Sequence, residues 1–248
     1  MLQQMPSAVR GILIANVIFF VLTLSLGDYM YLKFSLWFME NPRFGFWQFA
    51  SHMFMHGGFT HILFNMYALV VFGSPLERQW GREKFIFFFF SAGLGAAFLH
   101  TGVNFYFFNE AVSQVIESGI SRIQLFEALN SINGLNLSYI EQGVSYEVAQ
   151  QLKSSFYTPA VGASGAVYGV LVAFAFMYPE ARLMLLFLPF PIKAKYFVPL
   201  IILGDLYFGI TNQNTGIAHF AHIGGALLGF IMMWYWNKNS FDNHRWDS

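Results

Sequence analysis

The feature that most limits what this chain can become is its hydropathy. Six runs, near 11–27, 59–76, 85–105, 163–178, 196–211 and 217–236, are apolar over most of the roughly 20 residues that a helix needs to cross a bilayer. In hydrocarbon every backbone N–H and C=O must find its partner within the chain, so such runs become helices. Only 10% of the 248 residues are charged and 56% are hydrophobic, whereas an ordinary soluble domain is roughly a quarter charged. The expected fold class is therefore all-α: a polytopic membrane protein of six transmembrane helices, forming one domain over 1–248. The first run follows Arg10 and continues to about Leu26 without a small-x-small cleavage site, so it reads as a retained span.

Charge sets the orientation. With the N-terminus cytoplasmic, the inner side collects Arg10, Arg78, Arg82, Lys84, Arg182, Lys193, Lys195, Lys238 and Arg245. The outer side keeps only Lys33, Arg43, Arg122 and Lys153. The positive-inside rule favours this arrangement, with both termini in the cytoplasm. The expected location is a bacterial inner membrane. Zero net charge and the lack of a Lys/Arg-rich run give no reason to expect a nucleic-acid partner. With no cysteine, disulfides, thiol catalysis and cysteine metal sites are excluded.

Two outer connections are long. Residues 28–58 mix Trp37, Trp47 and several Phe with Asp28, Glu40 and Arg43, which suits a segment half-sunk in the membrane interface. Residues 106–158 are polar enough to lie in water. There "VSQVIESGISRIQLFEALNSI" has helical periodicity, "NGLNL" signals a turn, and "SYEVAQQLKSS" reads as a second short helix. The expectation is a helical extracytoplasmic insertion between the third and fourth spans. A third connection, "TNQNTG" at 211–216, is polar and short.

Polar groups inside a bilayer are costly and usually mark function. "HMFMHGGFTHILFN" carries His52, His56, His61 and Asn65, "GASGAVYG" carries Ser164 and Tyr168, and "HFAHIGGALLG" carries His219 and His222. All three segments enter from the outer side. Their polar residues fall within the first turns or just before them, at similar depth for a rise of about 1.5 Å per residue. His61 and Asn65 share a helix face, as do Ser164 and Tyr168. Small residues four apart, Gly165, Gly169 and Ala173 on one helix and Gly225 and Gly229 on another, let helices approach closely and bring His222 toward Ser164.

Each feature has an ordinary explanation when taken alone. A membrane serine usually bonds its own i−4 carbonyl, and a glycine stripe is usually packing. His52 and His56 have metal-ligand spacing, but residue 53 is Met, where a His-Glu-x-x-His site needs Glu. No metal or cofactor is expected. Serine, histidine and amide groups converging at one depth favour chemistry. The one carboxylate within a predicted span is Asp205, and nothing in the sequence puts it at His222. The expected unit is therefore a Ser–His dyad.

From about Trp47 to the end of the sixth run, omitting the insertion, the sequence resembles the rhomboid family of intramembrane serine proteases. The pieces that carry the resemblance are "HILFN", "LERQWG", "GASGAVYG" and "AHIGGALLG", in that order. The resemblance implies Ser164 as nucleophile and His222 as general base. It implies His61, Asn65 and the Ser164 backbone N–H as oxyanion donors. Tyr168, packed on the catalytic histidine, and His56 would support the site, together with Gly162, Gly165, Gly225 and Gly229. Trp47-Gln48 falls where many members have Trp-Arg. The implied partners are transmembrane protein substrates within the lipid bilayer. The alternative is a non-catalytic rhomboid-like adaptor or chaperone that binds transmembrane helices without cutting them.

Overall fold

The computed structural model describes residues 4–131, 143–183, 191–211 and 218–239. It is mostly helical. In chain order the helices are α1 (Ser7–Leu26), α2 (Asp28–Phe34), α3 (Gln48–Ser51), α4 (Phe59–Trp80), α5 (Arg82–Glu117), α6 (Arg122–Asn130), α7 (Tyr146–Tyr157) and α8 (Ser164–Met177). A two-stranded antiparallel hairpin follows, β1 (Arg182–Leu183) on β2 (Ile192–Lys193), and then α9 (Ala194–Ile210) and α10 (His219–Asn239). Among the described residues, α1, α4 and α5 are long and apolar enough to cross a membrane, and α8 is a shorter apolar helix. The turn expected at 133–137 and all of 211–216 except Thr211 lie outside the described residues.

Local chemistry fixes the element ends. The start of α1 is capped from a distance: the Glu77 carboxylate accepts from the Ala8 and Val9 N–H groups at 2.7 and 2.8 Å. These are two of the donors that any helix start leaves unpaired. In α4 the ring of Pro75, which lacks an N–H, follows a π-helical turn at Leu69–Gly73. At the far end of α8, Glu180 pairs with Lys193 at 2.7 Å and with Lys195, and the two ammonium groups hold its carboxyl well below the usual range, at about 2.

The third span differs from expectation. It does not stop near 105 but continues as one helix to Glu117, 36 residues in all. At about 1.5 Å per residue this is far longer than the roughly 30 Å hydrocarbon core. A fall in hydropathy such as that after residue 105 does not oblige a helix to end. The chain turns just beyond Glu117 at Gly119, whose φ is 96°, and Ser121 with Gln124 forms a capping box that starts α6. The periodic stretch expected as one helix is thus two. The projecting end of α5 packs Phe108, Val112 and Val115 against Leu125 and Leu129 of α6 and Leu152 and Phe156 of α7, with Phe38 closing the small core.

The centre of the molecule is a trio, α5, α8 and α10. Gly165 and Gly225 meet where a methyl on Gly225 would fall 1.8 Å from the Gly165 carbonyl oxygen. A methyl on Gly229 would fall 2.7 Å from the Gly169 Cα. The two backbones touch, as small-residue stripes permit, and this brings the starts of α8 and α10 together.

Candidate active site

Ser164 is the first residue of α8. The segment leading to it is pinned twice. Leu36 and Ala160 exchange backbone hydrogen bonds at 2.9 Å, and the Gly162 N–H donates to the His52 carbonyl at 2.9 Å. Both anchors come from the 28–58 connection. That connection is itself organised by the buried Gln48, whose amide accepts from the Trp37 N–H at 3.1 Å and donates to the Arg43 and Lys33 carbonyls.

His222 lies one turn into α10 with Nε2 at 2.9 Å from Ser164 Oγ. The Tyr168 ring stacks flat against its imidazole, centroids 4.1 Å apart and planes 11° apart. Behind the imidazole, Asp205 corrects the expectation that no carboxylate stands there. Asp205 Oδ1 accepts from His222 Nδ1 at 3.1 Å and from His219 Nδ1 at 2.5 Å. The carboxylate sits near the end of α9, and both histidines open α10. The packing of α9 on α10 brings the three side chains together. The sequence signals only that a lone acid in an apolar run needs a partner; which partner it finds is set by the packing of α9 on α10.

His61, in the first turn of α4, accepts from the Gly57 N–H at Nδ1, 3.4 Å. That assigns the proton to Nε2, the nitrogen facing the serine loop. A methyl built on Gly162 would stand 2.8 Å from His61 Cε1 and Nε2 and 3.6 Å from Ser164 Oγ. Gly162 therefore keeps open a small space that the imidazole edge and the hydroxyl both border. Asn65 is buried, and its amide donates to the His61 carbonyl at 3.0 Å, leaving one amide hydrogen for a further acceptor. His56 is buried and meets His61 edge to face at 5.0 Å. His52 bonds the Gln48 carbonyl, 2.9 Å from Nδ1.

The family model described as the Rhomboid domain matches residues 43–239. The chain belongs to the rhomboid family. Among curated relatives, it is 26% identical over 225 residues to the RHOMBOID-like protein 12, mitochondrial, of Arabidopsis thaliana, covering 90% of this chain and 56% of that protein. It is 29% identical over 183 residues to the human presenilin-associated rhomboid-like protein, mitochondrial, covering 73% and 35%. It is 25% identical over 189 residues to the rhomboid protease AarA of Providencia stuartii, covering 75% and 54%. The chain thus spans from about a third to just over half of these relatives' lengths. With several rhomboid relatives mitochondrial by name, the expected bacterial inner membrane has no support. A rhomboid-family membrane protein is what stands. In this rhomboid chain Gln48, in place of the arginine found in many members, still ties three backbone groups of the connection together.

Proposed function

We propose that this chain is an intramembrane serine protease that hydrolyses peptide bonds in or near transmembrane segments of membrane proteins. The observation that carries the proposal is the 2.9 Å contact between Ser164 Oγ and His222 Nε2 at the start of a 14-residue helix. Such a helix rises about 21 Å, less than the roughly 30 Å hydrocarbon core. With α8 embedded, its first residue sits below the membrane surface. α9 and α10, of 17 and 21 residues, complete a six-span bundle with α1, α4, α5 and α8. The arginine and lysine distribution supports cytoplasmic termini, and the projecting helices α6 and α7 support an extramembrane insertion within a single membrane domain.

In the reaction His222 takes the Ser164 proton as Oγ attacks the scissile carbonyl carbon. Such general-base transfer contributes on the order of 10²–10⁴-fold. Negative charge gathers on the carbonyl oxygen. The Ser164 N–H is one of the free donors at the start of α8 and lies at the positive end of its dipole. His61 Nε2–H and the Asn65 amide are the other donors to this oxygen. His222 then protonates the leaving amine, and water releases the acyl group. A substrate helix must first unwind, because its amides are already bonded. The preferred substrates therefore carry Gly or Pro near the cut.

The test uses detergent-purified protein, a labelled transmembrane-segment substrate and a serine-reactive phosphonate. Wild type should cleave and be labelled at Ser164. Ser164→Ala and His222→Ala should do neither, and Asn65→Ala should fall on the order of 10²-fold, the effect of one oxyanion donor. Binding of the segment without cleavage or labelling would make the chain an adaptor or chaperone.

A further inference from the structure

Asp205 is buried in an apolar helix, and its Oδ1 is shared by the Nδ1 atoms of His219 and His222. We propose that Asp205 is a positioning residue for His222, held in place by His219, so that the unit at Ser164 is a three-membered chain, Ser164–His222–Asp205. This rests on the protease reading above and deepens it.

The chemistry follows from the imidazole. A neutral histidine carries one ring proton, and only an unprotonated Nε2 can take the hydrogen of Ser164 Oγ. In solution both tautomers are populated. A carboxylate accepts but cannot donate, so Asp205 fixes the proton on Nδ1 and leaves Nε2 free. When His222 accepts the serine proton, the imidazolium forms beside that anion and gains from it. Tyr168 stacking fixes the plane of the ring but says nothing about its tautomer.

His219 does for Asp205 what Asp205 does for His222. A lone buried carboxylate would be costly and free to rotate. The His219 N–H holds Oδ1, and the His219 ring is itself seated on Phe208, centroids 5.7 Å apart. Gly209 lets α9 approach the start of α10 closely, since a methyl there would fall 3.1 Å from the Phe220 ring, the residue next to His219.

The experiment pairs kinetics with imidazole nitrogen NMR on ¹⁵N-histidine protein, the His222 signals assigned by difference with His222→Gln. Wild type should show His222 protonated on Nδ1. Asp205→Asn presents an amide that can donate to Nδ1 and so favours the wrong tautomer. Its kcat should fall about 10⁴-fold, as when the acid of a serine-protease triad becomes an amide, with KM nearly unchanged and the His222 proton moved to Nε2. Asp205→Glu, which keeps the carboxylate, should recover part of the rate and the Nδ1–H signal. A rate loss without a change of tautomer would reduce Asp205 to a packing role and overturn the proposal, as would a tautomer change without a rate loss. If Asp205→Asn does not fold, His222 protonated on Nε2 in wild type overturns it alone. Should wild type neither cleave nor take the phosphonate, the protease reading fails, while the tautomer still reports on Asp205.

Discussion

Replacing Gly162 by alanine should disable the site while leaving the fold almost intact. Two consequences follow from the geometry, and their sizes differ. Gly162 has φ +120°, a region that L side chains rarely adopt, and a residue held in such a conformation carries strain on the order of 1–3 kcal/mol. Alanine also restricts the unfolded chain and returns about 0.4–1 kcal/mol, so the net loss of stability should be about 1–2 kcal/mol. The new methyl would stand 2.8 Å from His61 Cε1 and Nε2, too close for either to stay. The Gly162 backbone is anchored by its bond to the His52 carbonyl, so the imidazole is the group that moves. That would remove one of the proposed oxyanion donors, worth roughly 2.7–4 kcal/mol or 10²–10³-fold in kcat. The control is Gly27→Ala, which shares the positive φ, here +53°, but has nothing within 4 Å of its new methyl. Both variants should melt slightly below wild type in detergent. Only Gly162→Ala should lose cleavage and phosphonate labelling. A folded Gly162→Ala protein that cleaves at the Gly27→Ala rate would refute the assignment of His61 as a donor beside Ser164.

Three other perturbations test separate layers. Gly225→Val forces α8 and α10 apart, because even a methyl there would lie 1.8 Å from the Gly165 carbonyl oxygen; cleavage should fall by at least about 10²-fold, the effect of a misplacement near 1 Å, and wild-type activity would show that the glycine contact does not set the Ser164–His222 distance. Glu77→Ala strips the acceptor from the Ala8 and Val9 N–H groups and should cost roughly 1–3 kcal/mol per donor in denaturant unfolding from mixed micelles, with Glu77→Gln losing less; equal stability of all three proteins would mean the cap is idle. For topology, a reporter fused after Ser248 and a tag near Asn133 should lie on opposite faces of the membrane, and finding both on one face would overturn the six-span arrangement.

Some of this architecture is legible in the sequence because hydrocarbon removes choices. Apolar runs of spanning length must be helices, glycines four apart must be places of close approach, and polar groups must face inward together. That reasoning brings Ser164, His222 and His61 toward one place, and the structure has them adjacent. Other features hide because they depend on distances across loops. Asp205 and His219 are separated by a connection whose path no local pattern gives, so a carboxylate five residues from the end of α9 looks unattached to α10. The extra length of α5 is hidden for the opposite reason. Polarity after residue 105 looks like a new element, but only Gly119 breaks the backbone. Gln48 is illegible altogether, since three backbone partners from one amide require the loop's final shape.

The buried polar chain has a consistent energetic logic. Groups that an apolar core could replace at little or no loss of stability are kept around one serine. Each is held by another part of the protein: Gln48 and His52 hold the loop, Gly57 fixes His61, Tyr168 flattens His222, and His219 seats Asp205. In bulk water such restraints would compete with solvent for every hydrogen bond. At the proposed position below the membrane surface the competition would be weak, and an electrostatic contact would gain strength from the low dielectric. The same environment penalises any partner left alone, so the network works as a unit. Removing one member costs both its own contact and the burial of the partner it leaves behind. For that reason the effects of Asp205→Asn and His222→Ala should not add: once the base is gone, orienting it has no further value, and a double variant as slow as His222→Ala alone is the signature of a single chain of groups.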